Sequence, residues 1–183
     1  MMSLIAGNLA VVQRLLDSKQ TAWCVFAGAA AHLYGTRRPI QDVDLIVLPG
    51  QLPTVVQLLQ SSGKSVQYDG QRIIWRGIKI FDDMAVRRDG TTFPLTFDPP
   101  MQTRLRKMPL LGAPVTVMSP EDVVAHKLLL DRGSAHGKYD LVDVEGIIRR
   151  QSLDVGYLRE RIRLMRAERQ LIERLRELGV EIS

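Results

Sequence analysis

Two aspartates one residue apart, Asp42 and Asp44, stand in the run Asp42-Val43-Asp44-Leu45-Ile46-Val47-Leu48. The apolar, β-branched character of this run predicts a strand, and the strand period sends both carboxylates out from one face. Their Cα atoms then lie about 6.5–7 Å apart. At an effective dielectric of about 20, two charges at that separation repel by roughly 2–2.5 kcal/mol. A fold keeps such a pair where a cation sits between the carboxylates, or where the strand end is fully solvated. A hard ion such as Mg²⁺ suits paired carboxylate oxygens, because it retains waters and completes its shell with substrate phosphates.

Upstream, Gly28 follows the apolar run Trp23-Cys24-Val25-Phe26-Ala27 and precedes a short helical pattern. A glycine between strand and helix lets backbone N–H groups approach a phosphate chain. Twelve residues separate the Gly28-Ala29 pair from Asp42. A short helix and loop of that length bring the glycine turn and the two carboxylates to the same sheet edge. A third carboxylate is expected from a neighbouring strand, and Asp82 and Asp83, in Lys79-Ile80-Phe81-Asp82-Asp83-Met84, are the candidates. Alternation places them on opposite faces, so one of the two faces the site; the flanking residues are apolar on both sides and do not say which.

These residues resemble the signature of the nucleotidyltransferase fold family that includes polymerase β-like enzymes. That signature is a glycine turn, roughly ten residues, an Asp-hydrophobic-Asp strand, and a later acid on an adjacent strand; Gly28, Asp42, Asp44 and Asp82 or Asp83 match it. A later segment is similar to the minimal and abortive-infection type members: Ser119-Pro120-Glu121-Asp122-Val123-Val124-Ala125-His126-Lys127, then Arg132 and Lys138-Tyr139-Asp140-Leu141-Val142-Asp143-Val144. The resemblance covers about residues 20–150. It implies transfer of a nucleoside monophosphate from a nucleoside triphosphate to a hydroxyl of an RNA, a protein or a small molecule, with release of pyrophosphate. It also implies two Mg²⁺ ions on Asp42, Asp44 and Asp82 or Asp83, the last of these helping to deprotonate the acceptor. Gly28, Ala29, Arg37, Arg38, Lys127 and Asp143 would surround the nucleotide. Lys127 has a plainer reading as a lysine lying along an otherwise buried helix, and Asp140 and Asp143 as acids favouring a helix N-terminus. One departure stands out. Ala29 occupies the place where active members carry Ser or a second Gly, and a lost hydroxyl bond to phosphate is worth about 1 kcal/mol. A weak or silent binding module, in a toxin–antitoxin or regulatory setting, is therefore the second reading.

The elements that must hold these residues follow from periodicity. Leu4, Ile5, Leu9, Val12, Leu15 and Leu16 predict a helix over residues 3–18. Strands are expected at Trp23–Ala27, Asp42–Leu48, Ser65–Tyr68, Arg72–Arg76, Lys79–Val86 and Pro114–Met118, with helices at Ala29–Tyr34 and Leu52–Gln60. Asp69-Gly70 marks a hairpin. Turns are expected at Arg88-Asp89-Gly90 and Asp98-Pro99-Pro100, with residues 101–108 irregular or helical. Ser119-Pro120-Glu121-Asp122 reads as a helix start, followed by helices at Tyr139–Arg150 and Val155–Leu178, the last about 36 Å long. The fold class is α/β (α+β): a mixed sheet flanked by helices over residues 1–118, with a helical C-terminal region, 119–183, packed on it.

Composition narrows the class. The chain has 183 residues, 45% hydrophobic and 25% charged, which is globular. The longest uncharged stretch, Gln20 to Thr36, carries Gln, His and two Gly and is too short and polar to span a bilayer. The N-terminal segment reads as an amphipathic helix and not as a signal peptide. A lone Cys24 excludes a disulfide framework, so a cytoplasmic setting is expected, with no membrane partner. Net charge is +5, and residues 149–176 carry nine arginines against four acids. That strip is either a solvated helix face with Glu–Arg pairs or an RNA-binding surface. The apolar stripe Leu158, Ile162, Met165, Leu171, Leu175 and Leu178 would pack on the domain or on a second copy as a homodimer.

Overall fold

The computed structural model describes residues 4–88, 90–136 and 138–182. Ser3 of the expected first helix and Asp89 of the expected turn lie outside the described residues. The first helix, α1 (Leu4–Ser18), turns Leu9, Val12 and Leu16 inward, as its spacing demands. It leads into β1 (Trp23–Phe26), a short strand buried along its whole length. Such a strand belongs in the middle of a sheet covered on both faces. A short helix, α2 (Ala27–Ala31), follows without a break and widens into a turn over His32–Thr36. Gly35 closes this turn with φ +125°, and a Cβ there would meet the Arg150 side chain at 2.3 Å, so only glycine fits.

The chain returns as β2 (Val43–Val47), antiparallel to β1, and then forms α3 (Leu52–Ser61). Three further strands, β3 (Gln67–Tyr68), β4 (Ile73–Trp75) and β5 (Ile78–Phe81), extend the sheet by hairpin pairing, and β5 lies parallel to β2. The expected single strand over Lys79–Val86 is two: β5 ends at Phe81, and β6 (Asp83–Arg88) leaves to form a separate ribbon with β7 (Thr91–Thr96). β7 had no counterpart in the sequence reading, although Phe93, Leu95 and Phe97 are buried at the strand period; Pro94 and the threonines conceal the alternation. After α4 (Pro99–Thr103) come β8 (Arg106–Leu110) and β9 (Ala113–Val117), paired antiparallel. β8 buries only Leu110 and contains Pro109, which an edge strand tolerates. The larger sheet runs β3-β4-β5-β2-β1-β9-β8, with β1 and β9 parallel, so it is mixed and flanked by helices.

Helix α5 (Pro120–Leu130) starts as its sequence dictates: the Ser119 hydroxyl accepts from the Asp122 N–H, and Pro120 sits at the first turn. Residues Pro120–Leu129 are buried on every side, which makes α5 the axle of the helical layer. Its one charge at the cleft end, Lys127, must therefore find partners inside the protein. α6 (Asp140–Arg150) packs against α5 and against the His32–Thr36 turn. The expected last helix is two helices, α7 (Val155–Leu164) and α8 (Glu168–Glu177). Arg166 breaks them with φ +57°, and the buried Ala167 lets the chain turn back. The reversal puts Leu171 and Leu175 on the core, and Arg174 forms a two-pronged pair with Asp131 at the end of α5. Among the described residues no helix is long and apolar enough to cross a membrane.

Candidate functional site

The ends of β1 and β2 open into a cleft of about 830 Å³. Antiparallel pairing puts Phe26 opposite Asp44, so the strand-to-helix turn and the acidic strand meet there, as the spacing predicts. Phe26 also packs edge-on against Phe81, ring centres 5.6 Å apart, and forms an apolar floor. Gly28 lines the cleft, and a Cβ on it would meet nothing within 4 Å, so the missing side chain leaves space beside the N-terminus of α2. The strained position of the turn is one residue earlier. Ala27 carries φ +54°, the conformation glycine adopts freely, while Ala29 is buried in ordinary helix. Ala27 and Ala29 both line the cleft, so the alanine in place of the expected Ser or Gly at position 29 stands at the site, and the left-handed residue at position 27 is a second feature of this turn.

Asp42 and Asp44 both line the cleft. Asp44 is pushed up to about 6, first by burial and second by the Asp42 charge, with Lys79, Lys138 and Lys127 pulling the other way. Two carboxylates that repel each other in a partly dry site are a receptor for positive charge. The residue that answers on β5 is Lys79, which pairs in register with Asp44 and donates to the Asp42 carboxylate. Asp82 and Asp83 lie elsewhere. β2 and β5 are parallel, and Phe81 is already opposite Ile46, so Asp82 follows at the far end of β2 from Asp42. There its carboxylate accepts from the Leu52 N–H at 3.3 Å, at the start of α3. Asp83 is exposed on the separate ribbon, 3.4 Å from the Thr96 hydroxyl. Neither lines the cleft.

The opposite wall is a buried ionic frame. Lys127 Nζ lies 2.9 Å from Asp140 and 2.8 Å from Asp143, and all three side chains are almost wholly out of solvent. Asp140 also accepts from the Arg132 guanidinium at 2.8 Å and the Arg132 N–H at 3.1 Å. Burial pushes the Asp140 carboxyl up, but the Arg132 hydrogen bond and Lys127 outweigh it, so the group is held below the usual carboxylate range. Asp143 holds the Arg38 guanidinium at 2.8 Å, and Arg38 in turn lies over the Tyr139 ring, 5.0 Å from its centre. Arg38, Lys127, Arg132, Lys138 and Tyr139 all line the cleft, whereas Arg37, in the left-handed conformation, does not. Asp143 lies behind the wall as the support of Arg38. His126 was given no role by the sequence. It lines the cleft, is buried, and is driven down to about 3 first by burial and then by Lys127, so it stays neutral.

Six basic side chains and three carboxylates thus line one cleft beside a strand-to-helix turn. Among the described residues no group of three or more His, Cys, Asp or Glu converges to hold a metal ion. The Asp42–Asp44 pair fits a hard divalent cation that takes its remaining oxygens from phosphates and water. Lys79 could have been sought in the sequence only once the register of β5 and β2 was known, Lys138 stands in the motif before α6, and Arg72 is brought to the cleft by the fold alone.

None of the curated proteins matches this chain. Solved structures do. The lincosamide antibiotic adenylyltransferase LnuA, lincomycin-bound, superposes with a TM-score of 0.51 at 13% identity, over 79% of this chain and 97% of its own. The solution structure of the antibiotic-resistance factor ANT(2'')-Ia gives 0.59 at 14% identity, over 97% and 99% of the two chains. The same protein in complex with adenylyl-2"-tobramycin gives 0.55 at 13%, over 89% and 97%. At these identities the likeness is one of fold. Residues 4–176 match the family described as uncharacterised nucleotidyltransferase, nearly the whole chain, and the protein belongs to that family.

Proposed function

We propose that the protein moves a nucleoside monophosphate from a nucleoside triphosphate to a hydroxyl of a small-molecule acceptor, with Mg²⁺ or a similar ion on Asp42 and Asp44. The observation that carries this reading is the meeting of that carboxylate pair, the Gly28 turn and the basic wall in one cleft. The acceptor oxygen attacks the α-phosphorus, the bond to the bridging oxygen breaks, pyrophosphate leaves, and the hydroxyl proton passes to water. A divalent ion bound here would neutralise charge on the phosphates and favour in-line displacement. The chain's own residues supply the rest. Asp42 and Asp44 would orient the ion; the Gly28 turn admits the phosphate chain. Arg132 and Lys138 offer positive charge to the leaving pyrophosphate, and Arg38, fixed by Asp143 and Tyr139, presents a planar donor at the rim. The small-molecule acceptor is supported by the fold neighbours, two of which were solved with an antibiotic or its adenylylated form.

The test is incubation with Mg²⁺ or Mn²⁺ and each α-labelled nucleoside triphosphate, against acceptors that include lincosamides and aminoglycosides. Pyrophosphate release with label on an acceptor is the expected result. Failure of all four triphosphates to bind would end the reading. Binding without pyrophosphate release would support a second reading, a nucleotide-binding module without turnover, which the placement of Asp82 and Asp83 outside the cleft favours.

A further inference from the structure

In a site organised around carboxylates, the place on the neighbouring strand directly beside Asp44 is held by a cation. Lys79 pairs in register with Asp44, its ammonium is bonded to Asp42, and its side chain is 30% exposed. It is carried by β5, which is hydrogen-bonded on both sides, so the base of the side chain is fixed. The two acids that follow on this strand are directed elsewhere, Asp82 to the Leu52 N–H and Asp83 to Thr96. The remaining carboxylate of the cleft, Asp140, is already shared between Lys127 and Arg132 on the opposite wall. A second divalent ion on the β5 side would therefore find no free carboxylate and would sit against the Lys79 ammonium, whose stem is anchored on β5.

We propose that Lys79 replaces a metal ion: the site takes a single divalent cation, on Asp42 and Asp44 with the nucleotide phosphates, and Lys79 supplies the second positive charge. Before binding, Lys79 occupies Asp42 and competes with the incoming cation. After binding, the ion takes the Asp42 oxygen, and the Lys79 ammonium turns to a phosphate oxygen of the nucleotide. Lys79 is in this sense a built-in counter-ion, and its removal strengthens the grip on a bare metal while weakening the grip on the nucleotide. This rests on the nucleotidyl-transfer reading for the nucleotide half alone; the competition at Asp42 follows from the ion pair itself.

The experiment is a Mn²⁺ titration followed by electron paramagnetic resonance, with and without a non-hydrolysable αβ-methylene triphosphate, on the full chain. Wild type is expected to bind one Mn²⁺ per chain–nucleotide complex, with no dipolar broadening between paired ions. Lys79→Met, which keeps the stem, is expected to bind Mn²⁺ alone about tenfold more tightly and the nucleotide more weakly. That gain should vanish in an Asp42→Asn background, where no ion pair exists to break. Lys79→Glu should bring a second Mn²⁺ into the complex. Two dipolar-coupled Mn²⁺ in wild type, or a Lys79→Met protein with unchanged affinity for Mn²⁺ alone, would overturn the proposal. If no nucleotide binds under any condition, the transfer reading fails, while the metal-only arm still decides the role of Lys79 at Asp42.

Discussion

The two walls of the cleft hold similar charges to opposite ends. On the β2–β5 side, Asp42, Asp44 and Lys79 are partly solvated and imperfectly balanced, and Asp44 holds a proton far more tightly than an ordinary aspartate. On the α5–α6 side, Lys127, Asp140 and Asp143 are out of solvent and saturated with partners at 2.8–2.9 Å. Charges left unsatisfied at a cleft surface are available to a ligand. Charges satisfied in the interior fix a shape. Lys127 illustrates the difference: its sequence pattern suggested a phosphate contact, and its structural place is the centre of the frame that presents Arg38, Arg132 and Tyr139.

The contrast is open to direct attack. The largest effect is expected from Asp42→Asn and Asp44→Asn, which should lower transfer about a thousandfold or more, equivalent to about 4 kcal/mol, in a protein that still folds. Full activity in either variant would place the chemistry elsewhere. Lys127→Met should do the reverse, destabilising the fold by roughly 3–5 kcal/mol because it leaves two buried carboxylates short of their cation. A midpoint in urea unchanged from wild type would show that the frame is not structural.

A smaller effect of opposite sign separates the walls by pH. Asp44 binds its proton more tightly folded, at about 6, than unfolded, at 3.8. The folded state therefore holds more protons between these values, and the Asp44 contribution to stability falls as pH rises from about 4 to about 6. Above that window the cost is constant, at most about 3 kcal/mol. Asp44→Asn should remove it, so the variant gains on wild type at pH 7–8 and not near pH 3. Asp140 runs the other way: its lowered value means that its contribution is lost as pH falls through the acid range. Urea midpoints across pH for Asp44→Asn and Asp140→Asn, compared with wild type, check both signs. The smallest expected change is at the turn: Ala27→Gly should relieve the left-handed strain and stabilise by about 0.5–1 kcal/mol, net of the flexibility that glycine adds to the unfolded chain.

Much of this arrangement was visible in the residues. The acidic strand, the Ser119-Pro120 helix start and the mixed α/β class all depend on local spacing, which a sequence displays; the short helix after β1 begins at Ala27, so Gly28 lies in its first turn and not ahead of it. What was hidden depends on register. Asp82 and Asp83 were sought at the site because alternation fixes faces, but alternation says nothing of which end of a partner strand a residue reaches. Only the parallel alignment of β5 with β2 brings Lys79 level with Asp44 and carries Asp82 past Ile46, to the far end of β2. The break at Arg166 was hidden for another reason. Arginine is a good helix former, and the left-handed turn there is imposed by the return of Leu171 and Leu175 to the core. The same return changes the reading of the arginine-rich strip: Arg161 is buried between Asp98 and Asp122, and Arg174 holds Asp131, so part of that charge is spent inside the molecule.

The bond between Arg38 and Asp143 joins residues 105 positions apart in the chain. A nascent polypeptide emerging from the ribosome therefore makes its acidic strand early and its cleft late. Until the stretch through Arg150 has been synthesised, Arg38 has no anchor, Gly35 has no Arg150 side chain against it, and the rim is unformed. If the cleft takes a nucleotide as proposed, added nucleotide should assist the last stage of maturation and leave the early, half-made sheet to fold unaided.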